Sequence, residues 1–193
     1  IFGAEHLLLA RAVDETVFDA AAGLVNGFKR HFLEQGQPVS ENPSPGNIAG
    51  GITTLEEKSL GAVQKAGHAV LTQALAYGET VSRAGLALLE APGNDAVSST
   101  ALTAAGATVI LFTTGRGTPL GFPAPTLKVA SNSELAARKP RWIDFDASAA
   151  LTDPDDAANR LMDLVLATAS GQMTRSEHNG ERGIALWKRG VTL

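Results

Sequence analysis

One stretch of the sequence joins an apolar run to groups that bind anions. The run ends at Phe112 and is followed by Thr113, Thr114 and then Arg116, which stands between two glycines. Glycine lets the backbone approach a ligand closely, and a guanidinium binds a carboxylate or phosphate through two parallel hydrogen bonds. A surface turn with a solvated arginine is the alternative, and this stretch alone leaves both open. No GKS/T or GxGxxG motif accompanies it, which disfavours a nucleotide loop.

Two further stretches carry oxygen and amide groups in turn-forming surroundings. In PGND, Asp95 is either the N-cap of a helix over 96–105 or, with Asn94, a hard oxygen ligand or proton carrier. In NPSPGNIAGG, Asn42 and Asn47 are framed by proline and glycine. Such a loop is equally consistent with ligand binding and with a flexible connection.

Two stretches carry groups that can transfer protons. Glu57 and Lys58 lie in TTLEEKS, early in a predicted helix, where charged side chains most often face solvent. In GAEH, Glu5 precedes His6, and both are competent as metal ligands or as acid/base groups. The three remaining histidines have no metal-ligand spacing, and we interpret them as structural or exposed: His31, His68 and His178.

The second half of the chain predicts the scaffold that positions these groups. Apolar segments ending in small polar residues predict strands over 86–93, 107–115, 125–132 and 141–148. Helical patterns lie between and after them, over 95–106, 132–139 and 153–171. This alternation predicts an α/β fold, a largely parallel sheet with helices on both faces and Rossmann-like layering. The polar clusters EAPGND, FTTGRGTP and ASNSE then share the carboxyl edge of one sheet, where ligands bind.

The first half reads as helices separated by a long loop. Apolar spacing predicts a helix from His6 to about Glu34, with a break or fresh start at Asp14. Residues 36–54 are too polar and too interrupted by proline and glycine for regular structure. A helix capped by Thr53 or Thr54 follows, and its apolar positions extend to Leu75.

Composition narrows the class of protein. The 193 residues are 44% hydrophobic and 19% charged, which indicates a globular domain with a real core. A net charge of −4 without a basic block argues against binding to nucleic acid or to anionic membranes. The absence of cysteine excludes disulfides, thiolate metal sites and a cysteine nucleophile within this chain. No apolar run approaches the roughly 20 residues that span a bilayer, and no export signal opens the chain, so we expect a cytoplasmic protein.

The order of the segments is more specific than any one of them. NPSPGNIAGGITTLEEKSLGAVQKAG, LLEAPGNDAVSSTALTAAGATVILFTTGRGTP, PTLKVASNSELAARKPRWIDFDA and ERGIALWKRGVTL together resemble the altronate/galactarate dehydratase family. The resemblance runs from GAEHLL to the final GVTL. It implies that residues 1–193 are the C-terminal catalytic-region domain of a longer chain. Within it we expect a helix and Pro/Gly loop in 1–54 and an α/β core in 55–193.

The resemblance implies metal-assisted removal of water from a sugar acid such as altronate or galactarate. From their chemistry we assign Arg116 to the substrate carboxylate. The groups expected to bind the rest of the substrate are Thr113, Thr114, Ser98, Asn47 and Asn94. The acid/base candidates are His6 and Lys58, with Glu57 as a further catalytic carboxylate, and the metal-ligand candidates are Glu5, Glu57 and Asp95. Oxygen-rich ligands suit Fe²⁺, Mn²⁺ or Mg²⁺.

Two other functions stay open at this point. A sulfolactate sulfo-lyase subunit of the same family would use the same α-proton chemistry but expel sulfite. A non-catalytic ligand-binding or structural fragment is the alternative from another class. The expected partners are a small sugar acid and either the remainder of a longer chain or a small partner subunit, with a homodimer also open.

Overall fold

The computed structural model of the chain describes residues 1–39 and 43–188, so Asn42 and the final GVTL lie outside the described residues. The chain divides into two compact units, Ile1–Glu90 and Ala91–Leu193. The division falls within the region predicted as one α/β core. Each unit contains helices and a parallel sheet of its own.

The first unit begins with two helices, α1 (His6–Leu9) and α2 (Glu15–Glu34). The predicted restart is confirmed, because the Asp14 side chain accepts a hydrogen bond from the Val17 amide at 2.8 Å. An unpaired amide at a helix start is costly, so a side-chain acceptor fixes where the helix begins. The buried face of α2 carries residues four apart: Val17, Ala21 and Val25.

Two shorter helices follow, α3 (Pro45–Ala49) and α4 (Leu55–Gln64). The prediction that 36–54 holds no regular structure is wrong for α3. Pro45 occupies the first turn, where its fixed φ suits a helix, and the Asn47 side chain accepts from the Ser44 amide. Thr54, one of the two residues predicted as the cap of α4, is its N-cap, and its hydroxyl accepts from the Glu57 amide.

Strands β1 (Leu71–Leu75) and β2 (Leu86–Leu89) form the sheet of the first unit. They pair in parallel, with Leu71 opposite Leu86. The predicted extension of α4 to Leu75 is wrong. Helix α4 ends at Gln64, Gly67 adopts φ +57°, and the Leu71 backbone then bonds to Arg11 and Val13. These partners lie far away in sequence, so apolar spacing alone did not reveal the strand.

The second unit contains a three-stranded parallel sheet of β3 (Ile110–Thr114), β4 (Thr126–Ala130) and β5 (Phe145–Asp146), with β4 in the centre. Its helices are α5 (Asp95–Ala104), α6 (Ser133–Arg138), α7 (Pro154–Ala169) and α8 (Arg175–His178), with a 3₁₀ helix at Ala147–Leu151. The α/β class with parallel strands is confirmed. The strands form two sheets where one was expected. Within the described part of the chain, no helix is long and apolar enough to cross a membrane.

A charged residue lies in the middle of the second sheet. Lys128, on the central strand β4, is fully buried, and its Nζ donates to Glu181 Oε2 at 3.0 Å. The Glu181 side chain is 22% exposed. A buried ammonium is stable only when it is paired, because burial removes its hydration. The pair therefore fixes the segment around Glu181 against β4.

Close packing at Gly121 supports the same arrangement. A Cβ at this position would lie 2.8 Å from the Ser176 Cβ and closer still to the Glu181 backbone oxygen. The Gly183 amide donates to the Gly121 carbonyl at 2.8 Å. Only glycine lets the two backbones approach this closely.

We expect replacement of Lys128 by Met to loosen β4. The change leaves Glu181 without its cation, and the expected local loss is about 3 kcal/mol because Glu181 keeps some contact with water. That loss corresponds to roughly 100-fold faster hydrogen exchange across Thr126–Ala130. Exchange measured by mass spectrometry on the full-length protein tests this. Arg138→Met, which removes an exposed helix-surface cation, is the control and leaves exchange unchanged. Equal protection in both variants would contradict the assignment.

Two aspartates around β5 are in opposite environments. Burial raises the pKa of Asp144 above its ordinary 3.8, although the amides of Lys128 and Arg175 donate to it and oppose the shift. The amide and hydroxyl of Ser148 donate to the half-buried Asp146 carboxylate and lower its pKa below 3.8. Because a pKa that differs between the folded and unfolded chain makes stability depend on pH, Asp144 stabilises the fold fully below pH 3.8. This contribution is lost as the pH rises through its raised pKa. Asp146 stabilises the fold fully above pH 3.8, and this contribution is lost as the pH falls through its lowered pKa.

We therefore expect Asp146 to titrate at a lower pH than Asp144. The carboxyl ¹³C shifts of aspartate-labelled protein measure both midpoints in one sample, with Asp144→Asn and Asp146→Asn giving the assignments. The Asp144 midpoint is expected above 3.8 and the Asp146 midpoint below it. Coincident midpoints would show that Asp144 is as hydrated as Asp146.

Candidate functional site

The first unit brings four polar residues from four helical segments close together. This amino-terminal polar cluster consists of Glu5 before α1, Lys29 on α2, Asn47 on α3 and Lys58 on α4. Glu5, Lys29 and Lys58 all interact electrostatically with the Ile1 nitrogen, so they border one small region. Three of the four were predicted as site residues, and Lys29 was not.

Packing between the start of the chain and α4 positions this cluster. The Ser59 hydroxyl donates to the Phe2 carbonyl at 2.6 Å. Gly3 adopts φ +90° and leaves no room for a Cβ beside the Glu56 side chain. A small apolar core formed by Ala4, Leu8 and Val63 lies beneath these contacts. The side chains at the start of the chain and in the first turns of α4 are thereby held in fixed relation.

Glu5 and Lys29 form a hydrogen-bonded ion pair between Oε1 and Nζ. Burial raises the pKa of Glu5, but the Lys29 hydrogen bond and nearby backbone amides outweigh it, so the pKa lies below its ordinary value. Lys29 also lies 5.3 Å from the centre of the Phe2 ring, within cation–π range. Glu5 Oε2 is buried, and no described group donates a hydrogen bond to it.

Asn47 and Lys58 form the second pair of the cluster. Lys58 Nζ donates to Asn47 Oδ1 at 3.0 Å, and the same oxygen accepts from the amide and hydroxyl of Ser44. The Pro/Gly loop and α4 are therefore joined through one amide oxygen. This contact places Asn47 beside Lys58, and the roles of both residues in a site stay predictions.

Glu57 and His6 take different positions from the cluster. The Glu57 carboxylate accepts from the amides of Thr53 and Thr54 and from the Thr53 hydroxyl, and these donors lower its pKa. Its position is that of a helix cap, and its roles as catalytic group and metal ligand stay predictions. His6 is exposed on α1.

In the second unit, the loops after β3 and β4 meet as predicted. The Ser131 amide donates to the Thr114 carbonyl at 3.0 Å, and Asn132 Nδ2 donates to the Gly115 carbonyl at 3.2 Å. We call Thr113, Thr114, Arg116, Ser131 and Asn132 the strand-end cluster. EAPGND instead follows β2 in the other sheet, so the prediction of one edge shared by all three loops is wrong.

The arginine loop has a defined conformation. Gly117 adopts φ +80°, and its amide donates to the Thr114 hydroxyl at 2.9 Å. That amide is therefore used within the loop. Arg116 and Thr113 are exposed at this edge of the sheet. Their predicted roles toward a substrate stay predictions.

The residues around α5 use their polar groups locally. Asn94 is the N-cap, with its side-chain oxygen accepting from the amides of Ala96 and Val97, so the reading of Asp95 as the cap is wrong. Asp95 occupies the first turn, where its charge suits the helix dipole. The Ser98 hydroxyl donates to the Asp95 carbonyl at 3.3 Å.

The predicted divalent metal finds no complete ligand set here. Within residues 1–39 and 43–188, no group of three or more His, Asp or Glu side chains is arranged to hold an ion. Of the predicted ligands, Glu5 is paired with Lys29, Glu57 caps α4, and Asp95 begins α5. The described residues alone do not fit a metal, and the metal stays a prediction.

Lys29 is the site residue that sequence reasoning missed, although one signal pointed to it. It follows Val17, Ala21 and Val25 at the same four-residue spacing, so it continues the buried face of α2. A lysine in register with a buried stripe requires a partner. The sequence did not identify that partner, because Glu5 lies on another helical segment.

The chain is similar along nearly its whole length to one family model and to several known proteins. Residues 1–192 match the family model described as D-galactarate/Altronate dehydratase, C-terminal. Altronate dehydratase of Bacillus subtilis (strain 168) is 50% identical over 196 residues, covering 100% of this chain and 39% of that protein. Galactarate dehydratase (L-threo-forming) of Escherichia coli (strain K12) is 35% identical over 171 residues, covering 86% of this chain and 33% of that protein. (2R)-sulfolactate sulfo-lyase subunit beta of Chromohalobacter salexigens is 32% identical over 196 residues, covering 95% of this chain and 49% of that protein. The chain thus spans half or less of the length of each relative.

Proposed function

The chain belongs to the D-galactarate/altronate dehydratase family, and we propose that its whole protein is a hydro-lyase acting on a sugar acid such as D-altronate or D-galactarate. The proposed product is a 2-keto-3-deoxy acid. The observation that carries this proposal is the identity to an altronate dehydratase along the full length of the chain. Identity to the sulfo-lyase subunit is lower, so release of sulfite from sulfolactate is the alternative to dehydration of a sugar acid.

The chemistry sets out what the residues must do. The proton beside a carboxylate is weakly acidic, because its removal places a second negative charge on the acid. Cationic groups that face this developing charge lower the barrier by several kcal/mol. A base then takes the C2 proton, an acid helps the C3 hydroxide to leave, and the enol rearranges to the ketone. The C2 proton and the C3 hydroxide leave together as one water molecule, which is the second product.

The amino-terminal polar cluster supports proton transfer in this proposal. Lys58 is the proposed base, held by Asn47 on a loop that glycine and proline shape. His6, exposed on α1, is the proposed acid. Both groups transfer protons in other enzymes, and both lie on helical segments of the same unit.

The strand-end cluster supports the binding of a carboxylate. Arg116 is the proposed ligand of the substrate carboxylate, and Thr113 and Thr114 are proposed for its hydroxyls, with Ser98 and Asn94 as further polar groups. Arg116 stands at the carboxyl edge of a parallel sheet, the edge at which α/β proteins bind ligands. A divalent Fe²⁺, Mn²⁺ or Mg²⁺ ion is part of the proposal for the whole protein, and no step is assigned to it here.

A substrate panel tests the function. We expect the full-length protein to convert at least one hexonate or hexarate to a keto-deoxy acid, detected by the carbonyl group of the product. D-altronate is the first candidate because of the sequence identity, and D-galactarate is the second. Sulfolactate, assayed for sulfite release, is run alongside with metal-depleted and metal-restored samples. Sulfite release without dehydration of any sugar acid would favour the sulfo-lyase instead.

The role of Lys58 is tested by Lys58→Met in the full-length protein. Loss of a general base is expected to lower kcat by about 10²- to 10⁴-fold with a smaller effect on KM. Lys65→Met removes an exposed lysine at the end of the same helix and is the matched control, with unchanged kcat. A Lys58→Met protein that keeps its kcat would remove Lys58 from the mechanism.

A further inference from the structure

The second unit contains a cavity that none of the roles above uses. Its volume is about 400 Å³, and it is lined by Asp144, Leu164, Gln172, Met173, Arg175 and His178. The strand-end cluster lies at the carboxyl ends of β3 and β4. Asp144 immediately precedes β5 and accepts from the Lys128 amide in the middle of β4, so its carboxylate lies alongside the central strand and not at that end.

The polar groups that line this open pocket differ in charge. Asp144 supplies a carboxylate, Arg175 a guanidinium, His178 an imidazole and Gln172 an amide. The volume is at the small end of the range of about 300–1,000 Å³ that is typical of ligand sites. The occupant must therefore be a small molecule.

Asp144 is held in a fixed orientation by two elements. Its Oδ2 accepts from the Lys128 amide on β4, and its Oδ1 accepts from the Arg175 amide at the start of α8, each at 2.8 Å. Each carboxylate oxygen has a second acceptor position. The carboxylate is thus rigidly placed and still able to accept a hydrogen bond from a ligand hydroxyl.

Arg175 supplies the positive charge of the cavity. Among the described residues, its backbone amide bonds to Asp144, and no hydrogen bond of its guanidinium to another side chain or carbonyl is present. A guanidinium has five N–H donors, arranged to hold a carboxylate through two bonds. The exposed Arg175 side chain lines the cavity beside Asp144.

The balance of charge selects the class of ligand. With one fixed anion facing one cation, a phosphate dianion would be repelled by Asp144. A monocarboxylate with a neighbouring hydroxyl fits better, because the carboxylate pairs with Arg175 and the hydroxyl donates to Asp144. Leu164 and Met173 contribute an apolar wall for a short carbon chain.

We propose that this cavity is a second ligand site of the protein, separate from the catalytic machinery, which binds a small hydroxycarboxylate. Arg175 holds the carboxylate, and Asp144 accepts from the hydroxyl. His178 and Gln172 complete the polar wall. The site goes beyond the proposed dehydration, because none of its residues carries a role in that reaction.

The test is equilibrium binding of D-glycerate to the full-length protein, measured by isothermal titration calorimetry. Arg175→Gln is the informative variant, because this exposed side chain can change without removing the amide that bonds to Asp144. Loss of a charge-assisted hydrogen-bond pair is expected to weaken binding of D-glycerate by at least about 10-fold. Arg138→Gln, an exposed arginine of the same unit, is the matched control and should bind as the wild type does.

Two further measurements separate this site from the proposed active site. Propionate, which lacks the hydroxyl, is expected to bind more weakly than D-glycerate to the wild type, and this difference should shrink in Asp144→Asn. Turnover of the sugar acid by Arg175→Gln without added D-glycerate should equal that of the wild type. Absence of D-glycerate binding, or equal binding by the wild type and Arg175→Gln, would overturn the proposal. A loss of turnover in Arg175→Gln would instead assign the cavity to catalysis.

Discussion

The starts of helices impose the constraint on which much of this structure depends. The first amides of a helix have no partner within it, so each start needs an acceptor from outside the helix, such as a side chain or water. In the described parts of the chain, polar side chains accept from these amides at six helix starts, namely at Asp14, Thr54, Asn94, Asn132, Asp153 and Thr174. These caps fix where the helices begin and therefore where the neighbouring functional groups lie.

The same constraint explains why several chemically attractive residues have structural positions. Glu57 and Asn94 have side chains able to bind a substrate or an ion, yet both accept amide hydrogens at a helix start. Asn47 serves two purposes, because the oxygen that accepts from Ser44 also receives the Lys58 ammonium. Capping in this unit thereby orients the proposed base.

Burial of charge distinguishes two regions of the molecule. Lys29 is half-buried and Lys128 is fully buried, and each is paired with a glutamate contributed by a different segment. Replacing such a pair with apolar residues often costs no stability, so pairing by itself does not explain why charges are there. The Lys128 pair fastens a segment to the central strand, and the Lys29 pair borders the proposed base.

Sequence by itself determined the features that depend on neighbours along the chain. The restart at Asp14, the capping of α4 by Thr54 and the α/β class with parallel strands were all predicted, because capping and apolar spacing act over a few residues. Tertiary structure alone decided the division into two sheets, the strand at Leu71–Leu75 and the partners of Lys29 and Lys128. These features depend on contacts between distant segments, whose formation depends on how the whole chain packs and leaves no local pattern.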